Sequence, residues 1–174
     1  MPCTTCGPNG YKSSGWMQPV MEKLRDCLCA EIDAKLAPVC FCGVIPGSPE
    51  NYLDVESPDP EQCGGSAWVR LQNTFRSSRL PEVETANSEL GFLAATFEVG
   101  IIRLVQAVDE DGQAPSVETD LASVSLILAD MEGIERAITC CFGEDYDWAL
   151  GTYTPSDGLG GVVGGAWTVA VRVR

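Results

Sequence analysis

Between residue 92 and about residue 105 the chain alternates. Leu93, Ala95, Phe97, Val99 and Ile101 occupy one parity, and Phe92, Ala94, Thr96 and Glu98 the other. Successive strand side chains point to opposite faces, so a run this long and this apolar commits the chain to a sheet with at least one buried face. Gly100 inside the run reads as a bulge or bend. Residues 67–76 repeat the pattern, with Ala67, Val69, Leu71 and Asn73 against Trp68, Arg70 and Gln72. The polar segment 77–90 joins the two runs, which predicts an antiparallel hairpin projecting beyond the body.

A sheet face needs cover, and two segments supply it. In residues 16–36, Met17, Met21, Leu24, Leu28, Ile32 and Leu36 recur at three- and four-residue steps, with charged side chains between them. That period is an amphipathic helix; Pro19 falls in its tolerant first turn and Pro38 ends it. A second helix follows Pro115. Ser116 is its N-cap, Glu118 and Asp120 sit in its first turn, and Gly143 closes it. Its apolar stripe reads as Leu121, Val124, Leu128, Met131 and Ile138, widened by Ile127 and Ile134, with Glu135 as the exception. Short strands are predicted over residues 39–45, 146–153 and 166–174. A long acidic loop (residues 46–66) and a turn at residues 109–112 complete the reading. The resulting order is α-β-β-β-α-β-β. It defines an α+β fold: a mainly antiparallel sheet with two amphipathic helices on one face. Residues 1–15 form an irregular, cysteine-containing N-terminal arm, and residues 16–174 a single domain. Trp68, Phe92 and Ala94 have the parity of the helix-free face, which points to a partner subunit there.

Several functions are disfavoured. There is no histidine, which removes Ser-His-Asp and Cys-His catalysis. The net charge of −14 does not hold nucleic acid by phosphate neutralisation; it reads as solubility or as a surface that repels a polyanion. The glycine stretch at residues 158–165 has no lysine nearby and is followed by a strand, so it reads as a flexible link, not a phosphate loop. The acidic groups at residues 109–111 and 144–147 lack calcium-loop spacing and read as solvated turns. No apolar run approaches the ~20 residues of a membrane span. The first residues do not form a signal peptide, so folding in a cytoplasm is expected, with no membrane partner.

Nine cysteines stand out in such a chain: Cys3, Cys6, Cys27, Cys29, Cys40, Cys42, Cys63, Cys140 and Cys141. Cys3 and Cys6, with two of Cys40, Cys42 and Cys63, are a candidate four-thiolate metal site, although the spacing matches no established ligand set. Cys27 reads as a small buried hydrophobe on its helix. Cys27 and Cys29 lie on the first helix and Cys140 and Cys141 end the second, so a disulfide between the two helices is expected if the protein is oxidised after leaving a cell. No catalytic residue, cofactor site or defined metal site is assigned.

The first helix, the segments VCFCGVIPG, AWVRLQ and GFLAATFEVGII, the helix after Pro115 and the turn GEDYDWALG occur here in a characteristic order. With the closing strand after a glycine-rich stretch, they resemble the tail-terminator (tail-completion) proteins of long-tailed bacteriophages. The likeness covers most of residues 16–174 and rests on order, length and pattern. The cysteine-rich arm and the acidic 46–66 loop depart from it. The resemblance implies a structural, non-enzymatic virion protein, assembled in the host cytoplasm into a hexameric ring. Such a ring caps the tail tube, stops addition of the major tail tube protein and joins the tail to the head-side connector. Double-stranded DNA passes through its bore without being tightly bound. Another head-tail connector component and a small cysteine-based metal-binding protein are the alternative readings. On the ring reading, the terminal strand offers an edge or tail for subunit contact.

Overall fold

A computed structural model describes residues 15–49, 64–82, 91–105, 114–156 and 162–172. Several expectations lie wholly or mainly outside these residues: the N-terminal arm with Cys3 and Cys6, most of the acidic loop with Cys63, much of the 77–90 connection, the turn at 109–112 and the glycines before Val162.

The elements follow the expected order: α1 (Met17–Lys35), β1 (Phe41–Val44), β2 (Ser66–Ser77), β3 (Phe92–Leu104), α2 (Val117–Phe142), β4 (Trp148–Pro155) and β5 (Val162–Arg172). One five-stranded sheet has the order β1-β2-β3-β5-β4. β1 runs parallel to β2, and every other pairing is antiparallel. The predicted α+β class is therefore the observed one.

Both helices pack on one sheet face. Val20, Leu24, Leu28 and Ile32 of α1 and Ile134, Ala137, Ile138 and Phe142 of α2 meet Val69, Phe97, Val99, Ile101 and Val169 in one buried cluster. Three contacts align the helices as an antiparallel pair: the Cys27–Cys141 disulfide, the Arg136 Nε–Glu31 Oε1 ion pair at 2.9 Å, and Leu36 against Gly133, where a Cβ would collide with the leucine. The cysteine pairing expected between the helices is present, and a second disulfide, Cys29–Cys42, ties α1 to β1. Ser116 caps α2 as expected, its Oγ accepting from the Thr119 N–H at 3.2 Å.

Arg103 joins the layers from within. It is 2% exposed and its partner Asp130 1%. Its Nε and one terminal nitrogen donate to the Asp130 carboxylate at 2.6 and 2.8 Å. The guanidinium also donates to the Pro38 and Ala37 carbonyls at 3.1 and 2.9 Å. One side chain on β3 thus fixes α2 and the α1–β1 connection together.

The structure departs from the sequence reading at four places. First, α2 is rotated: its buried face runs through Asp130, Gly133, Ile134, Ala137, Ile138 and Cys141, while Leu121, Val124 and Leu128 are exposed. The seats that fix this face are polar or small: Asp130 meets Arg103, Gly133 admits Leu36, and Cys141 bonds Cys27. A search for large apolar residues passes over all three. Second, β5 lies between β3 and β4, so both of its edges are paired and it offers none for subunit contact. Third, Gly100 is not a bulge. It lies under the Trp68 ring, which a Cβ would strike, and the register shifts fall at Leu71/Asn73 and Leu150/Tyr153. Fourth, residues 162–165 are strand, not link. Gly164, at φ +150°, lets β5 approach the Ile101 carbonyl where no side chain would fit.

Breaking a buried ion pair strands the remaining charge, which costs about 3–5 kcal/mol, whereas replacing both partners by apolar groups is far milder. Asp130→Ala is expected to lose that much in urea unfolding, and the Arg103→Met/Asp130→Leu pair distinctly less. Leu28 is fully buried, and Leu28→Asp is expected to abolish the cooperative transition by placing a carboxylate against the sheet.

Candidate assembly interface

The helix-free sheet face holds the most concentrated polar chemistry among the described residues. Side chains of one parity on β2 and β3 converge on Glu98, which is buried. Its Oε1 accepts from Trp68 Nε1 at 2.9 Å, and its Oε2 accepts from Arg70 and Gln72, both at 2.8 Å. Arg70 Nε also lies 2.7 Å from Oε1, but without hydrogen-bond alignment, so that contact is electrostatic. Burial pushes the Glu98 carboxyl up. The hydrogen bonds from Arg70, Trp68 and Gln72, with the guanidinium charge, outweigh it and hold the pKa below the usual glutamate value. Both oxygens are thus committed to fixed donors. A carboxylate held in this way is a weaker base than a free glutamate.

This face also covers itself. Ile45, Trp68, Ile102 and Ala166 form a second small core, with Phe41 and Val162 against it. Ala94 is fully buried, and the Arg172 guanidinium stacks 4.4 Å from the Phe92 ring centre. The three residues expected to meet a partner here are therefore occupied within the chain. The sheet edges are poor joining surfaces too. β1 is only four residues long, and β4 carries a register shift and Pro155, features that discourage strand addition.

Among the described residues, the exposed large apolar side chains other than Leu104 of β3 lie at the two ends of the helix-covered side. At one end α2 overhangs. Val117 lies sixteen residues before Gly133, where α1 ends against α2, so α2 continues for ~24 Å at 1.5 Å per residue. Along this overhang Val117, Leu121, Val124 and Leu128 are 70, 61, 50 and 50% exposed. Their steps of four, three and four make a narrow stripe, the spacing by which one helix packs on another element, flanked here by Glu118 and Asp120. At the opposite end the sheet outruns α1. A groove of about 410 Å³ opens between the first turns of α1 and the strands, lined by Met17, Met21, Val44 and Leu71, with Glu22 and Arg25 at its rim. Beyond it, on the same sheet face, Leu93 is exposed opposite Arg76.

The cysteines are largely engaged. Cys42 is bonded to Cys29 and Cys40 is also disulfide-bonded, so neither is a thiolate available to a metal. Cys140 is free and exposed. Among the described residues no three His, Cys, Asp or Glu side chains gather in metal-binding geometry. Among the described residues no helix is long and apolar enough to cross a membrane. Comparison with protein-family models and with curated proteins finds no match for this chain.

Because the folded pKa of Glu98 is lowered, its contribution to stability is fully present above the unfolded value near 4.5 and is lost as pH falls through the folded value. Glu98→Gln is expected to cost about 2 kcal/mol at pH 7. Its unfolding curve should converge on the wild type as the pH falls from 4.5 through the lowered folded value, measured by denaturant titration across that range.

Proposed function

We propose that this chain is a ring-forming structural protein of the virion. In this reading it is a tail terminator that caps the tail tube, stops further tube subunits from adding and meets the head-side connector. The observation that carries the reading is the overhanging α2 stripe. Four large apolar side chains at regular helical steps are left half or more uncovered by the described residues, and contiguous apolar surface of this kind belongs to contacts between molecules.

Three further features support it. The element order on which the resemblance to tail terminators rests is the order of the fold. The acidic net charge of −14 suits a bore through which DNA passes without sticking. The disulfides anchored on α1 suit a particle that meets an oxidising medium after release from its host. Glu98, the one strongly organised buried carboxylate on the helix-free face, is held by donors in a structural role, and the reading assigns no catalysis.

Native mass spectrometry of the purified chain, alone and with tail-tube protein, tests the assignment. The expected result is a closed oligomer of six copies and arrest of tube polymerisation when the chain is added. A chain that stays single in both samples and carries one zinc per copy overturns the reading in favour of a cysteine-based metal-binding protein.

A further inference from the structure

We infer that the two uncovered apolar surfaces are the two halves of one joint: the α2 overhang of one copy packs end-on into the Met17–Met21–Val44–Leu71 groove of the next. The inference rests on the ring reading and supplies the contact between neighbours.

The two surfaces lie at opposite ends of the antiparallel helix pair. A contact between them is therefore head-to-tail, the class that closes into rings. Their lengths agree. The stripe from Val117 to Leu128 spans eleven residues, or ~16 Å along a helix, and the strand from Leu71 to Arg76 spans five, again ~16 Å. With Val117 leading, the valine enters the groove beside Leu71 and Val44, and Leu128 comes to rest near Leu93. In this register the overhang completes in trans the helix layer that α1 leaves unfinished, placing an apolar helix stripe on apolar sheet surface as the rest of the fold does.

The charges agree as well. The leading turn of α2 carries Glu118 and Asp120. It arrives where α1 begins, and the first turn of α1 has no acidic residue and no side-chain cap, so its partial positive charge is unanswered. Arg25 stands at the same rim, paired among the described residues with its exposed neighbour Asp26 alone. Glu22, also at the rim, and Asp26 are the like charges the incoming turn meets among the described residues. Farther along, Arg76 has no carboxylate partner among the described residues, its guanidinium reaching only the Gly91 carbonyl. Exposed Glu132 follows the stripe on the incoming helix, toward that arginine.

Two variants of the full chain separate the halves of the joint: Leu121→Asp/Leu128→Asp in the stripe and Val44→Asp/Leu71→Asp in the groove. All four residues are exposed, so circular dichroism and the unfolding midpoint should match wild type. If the groove pair misfolds, Met17→Lys/Met21→Lys replaces it from the α1 side. Mass is read by light scattering, with tail-tube protein added if the wild type needs it to assemble. Each variant alone should fall to the 18.6 kDa of a single chain. An equal mixture should recover dimers and nothing larger, because one copy retains the stripe and the other the groove. A groove variant that assembles like wild type overturns the joint, whether the stripe then pairs with another stripe or residues 1–14 fill the groove. A ring that survives in both variants overturns the joint and leaves the ring reading standing. A wild type that remains a single chain throughout overturns both.

Discussion

The buried pair of Arg103 and Asp130 decides how this molecule meets its surroundings. An aspartate inside a helix that packs on a sheet must find a cation or be driven to the surface. Here the cation is waiting on the central strand β3, and it also grips the Ala37 and Pro38 carbonyls where α1 ends. Satisfying that carboxylate fixes the rotation of α2 about its own axis. Once Asp130 faces inward, Ile134, Ala137 and Ile138 must follow it, and Leu121, Val124 and Leu128 must turn outward. The exposed apolar stripe is thus a direct result of an ion pair on the same helix.

The fold was legible from period alone. The alternation through β2 and β3 and the three-four spacing of α1 each reflect burial of a single continuous face, which is what hydrophobic pattern measures. The caps at Ser116 and Gly143 were legible for local reasons: each answers a backbone group left unpaired at a helix end. The rotation of α2 was not, because the residues that set it are an aspartate, a glycine and a cysteine whose partners lie on distant segments. The placement of β5 was not legible either. Alternation identifies a strand but does not say which neighbours it takes, and the Gly164 contact that seats β5 against β3 exists only in three dimensions. Trp68 misled for the same reason, since its parity was right but its cover comes from Ile45 and from the flat surface above Gly100.

Two kinds of polar burial therefore do different jobs. On the helix-free face, Glu98 gathers Trp68, Arg70 and Gln72 into a cross-strand brace that holds β2 in register with β3. Between the layers, Arg103 sets how the helices sit. The Cys27–Cys141 and Cys29–Cys42 disulfides add to the second job, since each has one end in α1. The helix layer is consequently the most heavily constrained part of the molecule in its middle, while its two ends are left uncovered. On the ring reading proposed above, a rigid layer with apolar ends would present its contacts already formed, so that little ordering entropy opposes association.

The position of β5 has a consequence for biosynthesis. It is the last of the five strands to leave the ribosome, yet it fills the middle of the sheet, and β4 is attached through it alone. Until β5 emerges, β3 has an open flank and β4 has nowhere to bind. The nascent polypeptide therefore cannot close its sheet as it is made, and completion waits for the insertion of one glycine-bearing ribbon between two segments already synthesised.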